Sequence, residues 1–133
     1  MITESTKKIF TFRGKTIDEL KTLDVREFAK YLKSRQRRTV LRQFQELENF
    51  ISRAKKKLEK NKQIKTHKRH LIIVPQMIGM KISIYSGKEF FPVEIMKEML
   101  GHRLGEFSLT RTKVKHGGAG LGATKGSKAK KKK

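Results

Sequence analysis

The side chains with the greatest chemical potential in this chain are its histidines and arginines. His67, His70, His102 and His116 are the only histidines. His67 and His70 stand three apart among lysines, a field that opposes a metal ion, and no neighbouring carboxylate or thiolate completes a ligand set. Phosphate contact suits them better. There is no cysteine, which removes disulfides, thiolate zinc sites and cysteine nucleophiles, and fits a reducing compartment. No nucleophile stands beside a base held by a third group. The chain is therefore read as non-enzymatic, without metal or cofactor. Gly118, Gly120 and Gly122 look superficially like a phosphate-cradling loop, yet no strong strand precedes them and no helix-forming stretch follows.

Arginine and lysine carry the positive chemistry. They total 34 against 12 acids, a formal net charge of +22. Such an imbalance repels itself in a compact state unless a partner supplies negative charge. Ordinary solvated faces mix both signs, but between Ala54 and Glu89 the only acid is Glu59, and none follows Glu106. A polyanion is implied, since neutralising phosphates releases counterions and so drives association. The planar forks of Arg35, Arg37, Arg38, Arg42, Arg69, Arg103 and Arg111 suit phosphate oxygens and stacked bases. Structured RNA fits this mixture better than an anionic membrane, although composition alone does not separate RNA from DNA.

These side chains need elements to hold them. At 133 residues the chain has room for one compact domain with tails. Thr16 with Glu19 and Asp24 with Glu27 are spaced to cap the starts of two short helices. In the second, Val25, Phe28, Ala29 and Leu32 form one apolar stripe. Val40, Phe44, Leu47, Ile51, Ala54 and Leu58 alternate steps of four and three, which predicts one long helix over 35–62 docked on the other helices and ending in a cationic arm. Ile9, Phe10 and Phe12 beside Arg13-Gly14 suggest a short extended segment.

Texture changes at Leu71, where Leu71-Ile72-Ile73-Val74 reads as a buried strand stopped by Pro75. One turn fits Gln76 to Gly79. Met80, Ile82 and Ile84 alternate with Lys81, Ser83 and Tyr85, as in a half-buried strand. Ser86-Gly87 reverses the chain into an extended run over 88–95, where Pro92 demands a sheet edge. Lys97 to Leu100 makes a short helical turn. The fold class is α+β: a small three-stranded sheet with short helices, a helical N-terminal extension over 1–63, a core over 64–116, and a disordered Gly/Lys-rich tail over 117–133. The sheet unit is small enough that contacts outside the chain are expected to support it. No apolar run reaches the length of a membrane span and the first residues lack a signal-peptide core, so the chain is read as soluble and unprocessed.

Ser86-Gly87-Lys88, Ile95, Leu100-Gly101, Leu104-Gly105-Glu106-Phe107 and Thr110 together resemble the S-nineteen family of small-ribosomal-subunit proteins. Thr66-His67, Val74-Pro75-Gln76-Met77-Ile78-Gly79, Pro92-Val93-Glu94-Ile95, Thr110-Arg111 and Val114-Lys115-His116 extend the match over roughly residues 64 to 124. Phe12-Arg13-Gly14 and Ser34-Arg35-Gln36-Arg37-Arg38 resemble the extension of the archaeal and eukaryotic form, with the archaeal form preferred. Gly117-Gly118-Ala119 departs from the family pattern, in which a proline or an acid is expected.

The resemblance implies a cytoplasmic protein of the small ribosomal subunit, placed in its head on ribosomal RNA beside a protein of the S-thirteen type. It also implies a C-terminal tail reaching toward the decoding region and the transfer RNAs. By matching motif, the RNA-contacting positions are Lys65, Thr66, His67, Lys68, Arg69, Lys88, His102, Arg103, Gly105, Thr110, Arg111, Lys113, Lys115 and His116. Gly101 and Gly105 allow close backbone approach, and Leu100, Leu104 and Phe107 anchor that loop. Glu106 would be repelled by phosphate, so it is expected to pair with an arginine or cap backbone amides. The rival reading is a basic protein that compacts DNA without sequence preference. A membrane-active helix fits less well, because Glu46, Glu48 and Asn49 surround the seam and tryptophan is absent.

Overall fold

A computed structural model describes residues 9–115. The first elements are built from local signals. Strands β1 (Thr11–Phe12) and β2 (Lys15–Thr16) pair antiparallel across Arg13-Gly14, both at positive φ (49° and 82°). Two central residues in that region give the tight reversal whose twist matches a hairpin, and glycine adopts it without a Cβ clash. Thr16 then caps helix α1 (Ile17–Thr22): its hydroxyl accepts the Glu19 N–H, and the Glu19 carboxylate accepts the Thr16 N–H at 3.3 Å. Glu27 does the same for the Asp24 N–H at the start of α2 (Val25–Ala29). Both capping pairs expected from the sequence are present.

The expected long helix is two helices, α3 (Ser34–Arg42) and α4 (Phe44–Glu59). The break is at Gln43, whose φ of −109° and ψ of 23° leave the helical region. No proline or glycine marks the bend; it lets α3 pack on α2 while α4 runs on toward the sheet. Val40, Leu47, Ile51 and Ala54 bury the seam as expected, Phe50 joins them, and Leu58 is left exposed.

The three-stranded sheet has the order β3-β4-β5, with β3 (Ile64–Thr66), β4 (Lys81–Tyr85) and β5 (Phe90–Glu94). Strands β4 and β5 form the expected hairpin, and Pro92, opposite Ser83, lies on an edge strand where its missing N–H costs no ladder bond. The third strand is a correction: β3 pairs parallel with β4, Ile64 opposite Ile82, whereas the Leu71–Val74 run is buried but is not a strand of the sheet. That run bonds to a loop instead. The Ile73 N–H reaches the His102 carbonyl at 2.8 Å, the Leu104 N–H reaches the Leu71 carbonyl at 3.0 Å, and Ile72 and Arg103 form a single bridge. The loop curls into helical turns at both ends of this contact, so no ladder propagates. Single helical turns at Pro75–Met77, Lys97–Met99 and Leu104–Phe107 complete the chain.

One buried apolar cluster joins the helices to the sheet. It runs from Leu20, Phe28 and Val40 through Leu47 and Ile64 to Ile73, Met77, Ile82, Ile84 and Leu104. Burial at about 25 cal/mol per Å² of apolar surface makes this shared core the main stabilising contribution. Among the described residues no helix is long and apolar enough to cross a membrane.

Candidate nucleic-acid interface

The fold brings two basic segments together, 65–70 and 102–108, through a part-buried arginine. The Arg69 guanidinium donates to the carbonyls of Tyr85, Gly105 and Ser108, with the Gly105 bond at 2.8 Å. The Gly105 N–H in turn donates to the Arg69 carbonyl at 2.8 Å. Glycine suits position 105 because a Cβ there would stand 3.0 Å from both the Cβ and the carbonyl oxygen of Arg69, so that Arg69 would have to shift to admit a larger residue. The closely packed glycine expected in this loop thus meets an arginine of its own chain. Leu104 is fully buried and Leu100 nearly so, with Phe107 packed on the cluster.

Around that clamp the remaining basic side chains face outward. Lys65 is exposed on β3, its ammonium 5.4 Å from the centre of the Phe90 ring. His67 is exposed and packs against Tyr85 and Phe90, with ring centres 4.5 and 5.0 Å away. Thr66 is buried; its hydroxyl accepts the Lys68 N–H and so turns the chain out of β3. Lys88 is exposed at the tip of the β4–β5 hairpin. Thr110, Arg111, Lys113 and Lys115 are exposed on a segment without regular structure. His116 and the Gly/Lys-rich stretch after it lie outside the described residues.

Two acids are built into this basic surface. Glu46 on α4 receives Lys68 at 2.7 Å and His70 at 3.3 Å, and the hydrogen bond from Lys68, followed by that from His70, holds its carboxyl below the ordinary range. Glu106 accepts the Arg103 N–H at 3.3 Å and contacts His102 Nδ1 at 2.8 Å. It caps a backbone amide, as expected, while its side-chain partner is a histidine instead of an arginine.

A groove of about 340 Å³ opens between α3 and the loop. It is lined by Arg35, Arg38 and Arg42 on one side and by His70 and Arg103 on the other. The sequence marks these arginines as suited to phosphate, but nothing local says that residues 35 and 103 face one cleft. Arg37, between them in sequence, turns the other way: its guanidinium donates to the carbonyls of Ala29, Lys30 and Leu32 and closes the C-terminal end of α2.

No group of three or more potential metal ligands occurs among the described residues. Among the described residues the rings of His70 and His102 contact the carboxylates of Glu46 and Glu106, and no hydroxyl or amine is hydrogen-bonded to either ring. What the arrangement offers is a rigid basic surface with outward-facing cations and three clustered rings, a combination suited to phosphate and exposed bases.

The description "Ribosomal protein S19" belongs to the family model that matches residues 33–116. A protein of Methanocella arvoryzae named small ribosomal subunit protein uS19 is 50% identical over 122 residues, 92% of this chain and 86% of its own. A protein of the same name from Saccharolobus solfataricus is 46% identical over 124 residues, covering 90% of this chain and 89% of its own. Another, from Methanococcoides burtonii, is 43% identical over 119 residues, 90% of this chain and 85% of its own.

Proposed function

The chain belongs to the ribosomal protein S19 family, and from that premise we propose that it binds ribosomal RNA in the head of the small subunit. It is a structural protein of the small ribosomal subunit, of the archaeal type, and serves translation without being an enzyme. In this reading residues 64–116 carry most of the RNA contacts, residues 1–63 buttress them, and 117–133 extend toward the decoding region and the transfer RNAs. A protein of the S-thirteen type is the proposed neighbour.

The observation that carries the reading is the outward set of basic and imidazole side chains held on a fixed scaffold: Lys65, His67, Lys88, His102 and Arg103 project from strands and a loop that Arg69 locks from within. Backbone phosphates orient such a surface, and affinity rises with each one neutralised. Arg69 and Gly105 position the surface; Lys68 joins it from its pairing with Glu46. The segment with Thr110, Arg111, Lys113 and Lys115 continues the cationic face, and His116 follows it in sequence.

The test is a salt titration at fixed magnesium with the full chain, comparing small-subunit ribosomal RNA and length-matched duplex DNA. Retention of the ribosomal RNA at salt that strips the DNA is the expected result. Equal slopes and equal affinities would replace this reading by indiscriminate DNA compaction.

A further inference from the structure

We infer that the groove between α3 and the Arg103 loop is a separate seat for the RNA backbone, taking consecutive phosphates of one strand along Arg35, Arg38 and Arg42. The inference rests on the ribosomal-RNA reading and adds to it a site on the helical side of the molecule.

The three arginines recur at i, i+3 and i+7, so they share one face of α3 and, at a rise of 1.5 Å per residue, span about 10 Å along its axis. That is a ladder on the scale of successive phosphates. The facing wall is fixed. Arg103 sits in the bridge to Ile72, and its neighbours Leu104 and Gly105 bond back to Leu71 and Arg69.

None of the guanidinium groups of Arg35, Arg38, Arg42 and Arg103 makes a hydrogen bond or ion pair to another described residue. Arg37 and Arg69, in contrast, each close three backbone carbonyls. The two acids nearest the groove are engaged elsewhere: Glu46 is held by Lys68 and His70, and Glu106 by the Arg103 N–H and the His102 ring. Four guanidinium groups brought to one polar cleft without an internal counter-charge repel one another, and an anion threaded between them removes that repulsion. The lining contains no apolar side chain. A protein partner would seat its interface core on apolar anchors, whereas a phosphodiester strand needs only charge and paired donors.

Three full-length variants test this. Arg35→Gln/Arg38→Gln/Arg42→Gln removes the ladder; Arg35→Lys/Arg38→Lys/Arg42→Lys keeps the charge without the forks; Lys21→Gln/Lys30→Gln/Lys81→Gln removes three exposed charges elsewhere. Thermal melting checks that each is folded. Against small-subunit ribosomal RNA, the first variant is expected to lose affinity about a hundredfold and to lower the salt slope by about 3. The lysine triple should keep the slope yet lose protection of a short stretch of RNA backbone in hydroxyl-radical footprinting, and the remote triple should keep that footprint intact. If the glutamine triple matches the remote triple in affinity, slope and footprint, the groove holds no RNA and the inference falls. If it binds RNA normally but fails to enter small-subunit particles, the groove serves a protein and the inference falls equally. Either result leaves the ribosomal-RNA reading standing, which fails only if the wild-type chain does not prefer ribosomal RNA to DNA.

Discussion

The helical half and the sheet half of this molecule solve the same problem with different reach. Between 9 and 59, orphan backbone groups are satisfied by residues close in sequence: Thr16 with Glu19, Asp24 with Glu27, and Arg37 with carbonyls five to eight residues behind it. Between 64 and 108, Arg69 bonds carbonyls 16, 36 and 39 residues ahead. An arginine with nearby partners caps one helix. An arginine with distant partners joins a hairpin, a loop and the stretch at Ser108 at one point, so the loss of one side chain should be felt more widely in the sheet half.

Replacing Arg69 should break this contrast most severely. Arg69→Ala leaves three part-buried carbonyls without their donor and is expected to destabilise the fold by about 3 kcal/mol. Arg69→Lys should recover little, because an ammonium cannot reproduce the planar fork. Chemical denaturation measures both, and a loss no larger than that of Arg37→Ala would erase the distinction between the halves. Arg37→Ala is the smaller break, about 1 kcal/mol, since the Lys30 carbonyl, its shortest bond at 2.8 Å, lies exposed where water can replace the donor, and all three carbonyls belong to one short stretch of chain. Hydrogen exchange should show the loosening confined to α2 and the start of α3.

The joint between the halves gives the finest test. Glu46 on α4 meets Lys68 and His70 on the sheet side, and the hydrogen bonds from Lys68 and His70 hold its folded pKa below the ordinary value of 4.5. A lowered carboxyl pKa contributes stability that is present above 4.5 and is lost as pH falls through the folded value. The pair is partly open to solvent, so the contribution should stay below about 1 kcal/mol. Glu46→Gln is expected to flatten the stability profile in that acid window. An identical acid limb in both proteins would show that the joint is held by apolar packing alone.

What could be read from the sequence follows the same division of reach. The capping pairs, the β4–β5 hairpin and the edge position of Pro92 were legible because each depends on residues within a few positions. Strand β3 was not: Ile64-Lys65-Thr66 is short, sits in a basic stretch and becomes a strand only by pairing with Ile82–Ile84. Leu71–Val74 carries a stronger strand signal, yet its backbone partners lie in a curled loop some thirty residues on. The bend at Gln43 leaves the apolar spacing unbroken, so periodicity passes over it. Basic character pointed to RNA, but composition treats Arg37, Arg38 and Arg69 alike, and only the carbonyls around each one decide which faces inward.

The reach of Arg69 also sets an order of events during synthesis. Tyr85 offers the first of its three carbonyls, but the other two arrive only with Gly105 and Ser108. Closing so long a loop delays the reward for ordering the residues within it. In a nascent chain that has reached residue 90 the Tyr85 carbonyl is the one Arg69 partner already made, and the basic loop waits open until residue 108 has left the tunnel. The surface proposed to grip RNA is completed only once Gly105 and Ser108 have followed Arg69 out.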